Sequence, residues 1–275
     1  QHRCPLRNIE FFHIRTNESW CRDHGPAFVL KRTKHRSKIA IVDWGFNAWG
    51  GKYPPYDDDD AVPTNIAKAL RIKPIFNPGI IMEGGAVDFN GAGTVLTTTD
   101  CLLNRNRNPH LSKTEIEQYL KDYYGQRHVC WLTGGIEGDD TDGHIDDLAR
   151  FISPTKIVFA TETNPKDANF RTLQRVRKQL DKLRDQDGQP FEIVGIPMPK
   201  PVIHDGQRLP ATYVNFLFIN GALLVPTYRD KRNDRLAIEI LQRHLPKHKV
   251  IGIDCTELIW GLGAIHCLSQ QQPAV

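Results

Sequence analysis

The sequence predicts an α/β protein made of repeated strand–strand–helix–strand units arranged around a common centre. Three observations predict it. The same order of elements recurs along the 275 residues; glycine or proline turns sit between the first two strands of successive units; and a polar residue stands at the head of each unit. In the stretch 83–143, Ala86 to Phe89 and Thr94 to Thr99 read as strands joined through Asn90-Gly91, a pair that supplies the positive φ of a tight hairpin. Ser112-Lys113-Thr114-Glu115 is a capping box. Ile116, Leu120 and Tyr123 keep helical spacing behind it, and Gly125 can end the helix. His128 to Leu132 then reads as a short buried strand.

The stretch 144–214 repeats the plan. Ala149 to Ile152 and Lys156 to Thr161 flank Ser153-Pro154, Leu173, Val176, Leu180 and Leu183 line one face of a helix, and Phe191 to Ile196 is extended. In 215–266 (with Tyr213 and Val214 opening its first strand), Tyr213 to Ile219 and Ala222 to Val225 flank Asn220-Gly221. Leu236 to Leu245 follows as a helix and Lys249 to Asp254 as a strand. In 23–82 the elements are Ala27 to Leu30, Lys38 to Val42, a helix around Asn65 to Leu70, and Pro74 to Phe76.

The heads of the units are Asp23, Glu83, His144 and Asn215, with Cys267 opening a fifth, at separations of 60, 61, 71 and 52 residues. Equivalent positions in units set around an axis point to one centre, as the inner strands of a propeller do. The alternative is that each is an ordinary polar residue at a strand end. The motifs around the heads favour convergence. Gly25-Pro26 turns the chain after Asp23 toward a strand, two glycines follow Glu83 and permit close backbone approach, and Gly261 to Ala264 leads flexibly to Cys267. His144 and Asp146, two apart in an expected strand, share one face.

A thiol with a distant imidazole is the pattern of covalent catalysis, in which the thiolate attacks and the imidazole moves the proton. The carboxylates narrow the electrophile. Asp23, Asp146 and Asp140 offer acceptors for a cation rather than donors for an oxyanion, and a planar guanidinium with five N–H groups matches them.

At these motifs the chain resembles the agmatine deiminase family, within the superfamily that also holds arginine deiminase and the peptidylarginine deiminases. The residues that carry the resemblance are Trp20, Arg22, Asp23, Gly25 and Pro26; Glu83-Gly84-Gly85; Gly143, His144 and Asp146; His266-Cys267; and Asn47-Ala48-Trp49-Gly50-Gly51-Lys52-Tyr53. The resemblance implies a five-bladed α/β propeller of the pentein type. It also implies hydrolysis of agmatine to N-carbamoylputrescine and ammonia through a covalent thiouronium on Cys267, without a cofactor or a metal. In that scheme His144 is the acid and base, Asp23 and Asp146 bind the guanidinium, Glu83 holds His144, Asp140 takes the distal amine and Trp20 covers the site. Two positions depart from the family pattern. Gly261 to Ala264 reads GLGA where some members have GGGN, and His24 stands where Tyr is common.

Composition excludes several other classes. A net charge of +4 spread along the chain does not argue for nucleic acid. No apolar run reaches the ~18 residues of a membrane span; the longest, Val214 to Pro226, is broken by Asn215, Asn220 and Gly221. Six cysteines without CxxC or zinc spacing read as free thiols in a reducing, cytoplasmic setting. A homo-oligomer is compatible with this composition. Two other functions remain open at this point: deimination of free or peptidyl arginine, and non-catalytic binding of guanidines or polyamines.

The remaining features have structural readings. Asp57 to Asp60 is expected to be a solvated run at a helix N-terminus, and Lys31 to Arg36 an exposed turn. Asn17-Glu18-Ser19 is formally a glycosylation acceptor, read as accidental without a secretion signal, and Cys4, Cys21, Cys101, Cys130 and Cys255 are expected to be packed or partly exposed rather than catalytic. His266 is expected to point away from Cys267 on the opposite face of a strand. Division of the length by a repeat of about 60 leaves one strand before Trp20, Asn8 to Ile14, and one after Cys267. The first blade, 1–22 with 267–275, is therefore expected to be partly missing at the N-terminus.

Overall fold

The computed structural model of the protein describes residues 6–32 and 37–275. Cys4 and the stretch Thr33 to Arg36 of the expected basic turn lie outside them. The described strands are β1 Ala27–Arg32, β2 Ser37–Val42, β3 Ile75–Phe76, β4 Val87–Phe89, β5 Thr94–Thr98, β6 His128–Leu132, β7 Ala149–Ser153, β8 Lys156–Thr161, β9 Glu192–Pro197, β10 Ile203–His204, β11 Gln207–Arg208, β12 Leu217–Ile219, β13 Ala222–Thr227 and β14 Lys249–Asp254. They form four three-stranded sheets, β1-β2-β3, β4-β5-β6, β7-β8-β9 and β12-β13-β14, with β10-β11 a separate hairpin. In each sheet an antiparallel hairpin is followed by a helical crossover to a parallel third strand. The fold is thus α/β, built of ββαβ repeats, and four of the expected blades are present among the described residues.

Each crossover helix forms for the reason its sequence suggests. Ser112 and Glu115 close a reciprocal cap on the helix Lys113–Tyr124, which ends at Gly125 with φ 66°. Ile116 and Leu120 face inward from it, as Leu173, Val176 and Leu180 do from Phe170–Leu180 and Ala237 and Leu241 from Lys231–His244. Leu183 lies past its helix but still packs on the core. One continuous core runs through the second to fourth sheets by way of Leu96, Ile145, Phe159, Ile196, Phe216 and Val225. A second joins Val42 and Trp44 to Met82, Val95, Leu102 and Leu120.

The chain departs from the expected strands at the heads. Asp23 stands in the short helix Cys21–His24, not at a strand entrance, and His144 and Asp146 belong to the 3-10 turn Ile145–Asp147 and its cap. Glu83 precedes the 3-10 turn Gly84–Ala86. The strand expected from Tyr213 begins only at Leu217, because Tyr213 to Phe216 are fully enclosed and turn inward, with Phe216 N donating to Val214 O. These turns pack in succession: 21–24 against 84–86, and 84–86 against 145–147. A buried polar side chain needs its partners on several sides, and a tight turn can aim it there when a pleated strand cannot.

Neither single strand of the fifth unit forms. Asn8 to Ile14 has no strand pairing and leaves Phe11 78% exposed, and the chain after Cys267 is a turn followed by irregular backbone. A strand without a neighbour has no ladder to bond to. The acidic run also differs from expectation. Asp57–Asp60 is a helical turn, but Asp59 is completely buried, accepting from the backbone N–H of Asn17 and Glu18, and Asp60 accepts from Phe46 N. Two of its four carboxylates therefore anchor loops.

Leu120→Ala, at a fully enclosed site, is expected to lower the unfolding free energy by about 3 kcal/mol. Leu103→Ala, at a 37% exposed site, is expected to cost less than about 1 kcal/mol. Urea unfolding of both variants checks the assignment of the core.

Candidate active site

The first and last motifs are bonded to each other. Arg22 N donates to Cys267 O at 3.0 Å, and Gly25 N closes the helix Cys21–His24 onto Cys21 O at 2.9 Å. Any Cβ at position 25 would lie 2.2 Å from Cys21 O, so this turn needs glycine. The turn buries Asp23, whose Oδ2 accepts from Trp49 Nε1 at 2.9 Å and whose Oδ1 accepts from Gly85 N at 2.8 Å. A Cβ on Gly85 would come within 2.5 Å of His144 Nδ1 and 2.8 Å of Asp23 Oδ1, and one on Gly84 within 2.1 Å of Arg22 O. The two glycines after Glu83 are there for close approach.

His144, 1% exposed, sits inside a ring of acids. Its Nδ1 is 3.8 Å from Asp23 Oδ1 and 3.9 Å from Asp146 Oδ1, and its Nε2 is 3.9 Å from Glu83 Oε2. Burial opposes a charge on this ring, but Asp23, Cys101 and Glu83 together outweigh it and hold the imidazolium well above its usual range. Glu83 is completely buried as well. Burial pushes its carboxyl up, yet His144 and Arg107 hold it below the ordinary value. Arg107 Nε donates to Glu83 Oε1 at 2.8 Å.

Cys267 lies on the far side of Asp146. Asn215 Nδ2 donates toward Cys267 Sγ at 3.2 Å, Asp147 Oδ1 at 3.0 Å and Asp146 Oδ2 at 3.2 Å, so one amide ties the thiol to both carboxylates. Burial and then the fields of Asp146, Asp147 and Asp23 push the thiol well above its ordinary pKa. Asp146 is itself raised to about 7, mainly by burial, with Asp23 adding to it against the pull of His144. His266 does not point away from the site as a strand would have it. It lies in a turn, and its Nδ1 is 2.7 Å from Asp146 Oδ2. Burial and the nearby Arg150, Arg22 and His144 push the His266 imidazole well below its usual range, and it shares a hydrogen bond with Asp146.

A cleft of about 210 Å³ opens onto this centre, lined by the buried Asp23, Trp49, His144, Asp147 and Cys267 and by the more exposed Trp20, Tyr53, Asp140 and Trp260. Trp20 lies over Gly261 and Gly263, where a Cβ would meet its ring at 2.8 and 2.5 Å. Tyr53 Oη donates to Asp140 Oδ2. No arginine or lysine lines the cleft. A larger cavity, about 990 Å³, lies beside β1, β4 and β12 and reaches Arg22, Gly84, Arg150 and His266 but neither Cys267 nor His144, so the chemistry belongs to the smaller one. Among the described residues, one group has metal-ligand types close together: Glu83, Cys101 and His144, with ligand atoms within 4.8 Å. Arg107 already places a cation on that carboxylate.

Asp23, Glu83, His144, Asp146 and Cys267 are therefore brought together, and Asp140 and Trp20 stand on the wall of the same cleft. Sequence reasoning did not single out Arg107, Asp147 or the orientation of His266. Asn215 was visible as a unit head but had no assigned partner. Trp49 and Tyr53 lay in a quoted motif with no stated role. Only spatial proximity distinguishes Arg107 from the other arginines of the chain.

Fold and centre together define a class: a repeated α/β protein whose unit heads enclose a buried thiol, an imidazole and several carboxylates around a small cleft. The profile of the Porphyromonas-type peptidyl-arginine deiminase family matches residues 1–273. Agmatine deiminase of Pseudomonas syringae pv. tomato is 36% identical over 99% of this chain and 79% of its own length, and that of Medicago truncatula 37% identical over 98% and 79%. A C. jejuni agmatine deiminase in which a cysteine is replaced by serine, solved with substrate bound, superposes with a TM-score of 0.89 at 39% identity over 96% of this chain and 76% of that one. The chain belongs to the Porphyromonas-type peptidyl-arginine deiminase family, within its agmatine deiminase group.

Two outcomes are expected from this geometry. Gly85→Ala forces His144 and Asp23 apart and is expected to abolish protection of Cys267 by a guanidine against alkylation, while the circular dichroism spectrum stays unchanged. Asp146 has a carboxyl pKa raised from 3.8 to about 7. Its contribution to stability is therefore fully present below about pH 4 and lost as pH rises through about 7. Unfolding titrations of the ligand-free protein are expected to show a smaller decline over that window in Asp146→Asn.

Proposed function

We propose that the protein hydrolyses agmatine to N-carbamoylputrescine and ammonia, an enzyme acting on the C–N bond of a linear amidine. The observation that carries this reading is the charge of the cleft. Carboxylates stand at its base around His144, Asp140 near its mouth, and no arginine or lysine lines it. A substrate with a cation at each end and no carboxylate fits such a cleft. Free arginine brings a carboxylate that would meet Asp140 with no arginine or lysine in the lining to pair with it.

The physical chemistry of the empty site suggests how the thiol is activated. Burial first, and then the fields of Asp146, Asp147 and Asp23, push the Cys267 thiol well above its ordinary pKa. A guanidinium seated between Asp23 and Asp146 cancels that field, so the thiol gives up its proton to water in the cleft when substrate arrives and not before. The thiolate attacks the guanidinium carbon to form a tetrahedral adduct. His144, already charged, gives its proton to the departing nitrogen, ammonia leaves, and a thiouronium remains on Cys267. Water then adds to the same carbon as His144 takes one of its protons, and collapse of the adduct releases the ureido product and the thiol. Glu83 keeps His144 in place, and Trp20 covers the cleft.

The product is a precursor of putrescine, which places the reaction in polyamine biosynthesis. Cys21, Cys101, Cys130, Cys255 and Cys267 are all free, as suits a nucleophilic thiol in the reducing cytoplasm. None of the described helices is long and apolar enough to cross a membrane.

Ammonia release from agmatine is expected from the intact protein and is expected to fall at least about 10³-fold in Cys267→Ala; equal release by both would remove Cys267 from the mechanism. In a side-by-side assay with free arginine and a peptide ending in arginine, Asp140→Asn is expected to raise KM for agmatine far more than it changes kcat. A haloacetamidine that fails to label Cys267, or labels it without protection by agmatine, would favour a binding protein over an enzyme.

A further inference from the structure

Four segments wall the catalytic cleft, around Trp20, Trp49 to Tyr53, Asp140 to Asp147 and Trp260 to Cys267, and one buried guanidinium ties two of them to the acid behind His144. Arg107 has a completely buried side chain. Its Nε donates to Glu83 Oε1 at 2.8 Å, its second nitrogen donates to Asp142 Oδ2, and its third donates to Thr141 O at 2.9 Å. Asp142 Oδ1 in turn pairs with Lys52 Nζ at 2.9 Å, and the same ammonium donates to Asp140 O. The polar path therefore runs from the carboxylate at the cleft mouth to the carboxylate behind His144, with Arg107 at the only point where both ends meet.

We infer that Arg107 is a positioning residue that sets two ends of the site at once: through Glu83 it orients His144 for proton transfer, and through Thr141 and Asp142 it fixes the loop that presents Asp140 to the far end of the substrate. The inference rests on the roles proposed above for His144 and Asp140. Arg107 takes one oxygen of Glu83 and leaves the other, Oε2, facing His144 Nε2 at 3.9 Å. The bond from Arg107 holds Oε1, and Cys101 Sγ meets Oε2 at 3.8 Å, so the carboxylate keeps Oε2 toward the imidazole. The planar fork is essential to the arrangement, because its three nitrogens reach Glu83, Asp142, Thr141 O and Asn106 Oδ1 in different directions. An ammonium at the same place keeps the charge but reaches only part of the set. Lys52, Tyr53, Asn106 and Thr98 also hold this loop to its neighbours, and Arg107 is the group that ties it to Glu83. Gly143 takes φ 92° and Asp142 φ 66°, a backbone that relies on such bonds to stay in place.

The test compares Arg107→Lys, Glu83→Gln and the double variant, each first shown to melt cooperatively. Arg107→Lys is expected to lower kcat about tenfold and to raise KM for agmatine about fivefold. In the Glu83→Gln background the same change is expected to leave kcat within about twofold while KM still rises, because the path to His144 is already cut. Additive losses in kcat, or an unchanged KM in Arg107→Lys, would overturn the inference. Should Arg107→Lys not fold, Asp142→Asn at the partly exposed outer end of the clamp gives the second arm. A rise in KM larger than the fall in kcat is expected there, and the reverse pattern would count against it. Absence of agmatine hydrolysis by the intact protein is a failure of the function reading alone. The clamp is then read by ¹⁵N NMR of the histidine rings, where Arg107→Lys is expected to shift His144 and a lack of any shift would overturn it.

Discussion

The structure depends on the burial of a concentrated set of acids beside a thiol. Asp23, Glu83, Asp146 and Asp147 are all nearly or fully inaccessible, and each would carry a severe desolvation cost if it were ionised and unpaired. The fold meets this constraint with a small number of inward cations. His144 lies between three of the acids, Arg107 holds Glu83, and Arg22 and Arg150 flank His266 and Asp146. What remains uncompensated appears as a raised carboxyl on Asp146 and a raised thiol on Cys267. That residual field is the means of selecting a cation, and under the reaction proposed above it is relieved when the substrate's own charge arrives.

This constraint explains why the unit heads are turns. The sheets are held by local hairpins and crossovers and could end in ordinary strands. At the centre, however, side chains from five separated segments must lie within about 4 Å of one another. Glycine at 84 and 85 removes the Cβ atoms that would keep those segments apart. The short helix at 21–24 and the 3-10 turns at 84–86 and 145–147 aim successive polar groups inward. The motif around Trp49 follows the same logic. Ala48 and Trp49 both take positive φ, and the result is that the indole N–H reaches Asp23 while Lys52 and Tyr53 reach the loop of Asp140 and Asp142. Local backbone strain is offset by polar contacts that no regular turn would supply.

The repeat, the helical stripes and the cap at Ser112 were legible in the sequence because each rests on residues within about a dozen positions. The convergence of Asp23, Glu83, His144 and Cys267 was legible for a different reason: the repeat register makes their positions equivalent, and equivalent positions in units around an axis meet. Asp140 and Trp20 could be placed near the site by motif alone. The features that were misread are those decided by distant neighbours. His266 was expected to face outward by strand alternation, but Asp146 lies 120 positions away in the chain and 2.7 Å away in space. Asp59 looked solvated among three other aspartates, and it is the anchor of the segment at Asn17 and Glu18.

By itself, the sequence determined the order of elements, the α/β class, the head residues and the chemical kind of site they make, because periodicity and residue type are local properties that burial must respect. Only the tertiary structure decided which oxygen of each acid faces which partner, that the heads are turns, and that Arg107, Asn215 and His266 complete the centre. Those outcomes are set by desolvation. A buried charge takes whichever partner the fold brings within reach, and that partner can lie anywhere in the chain.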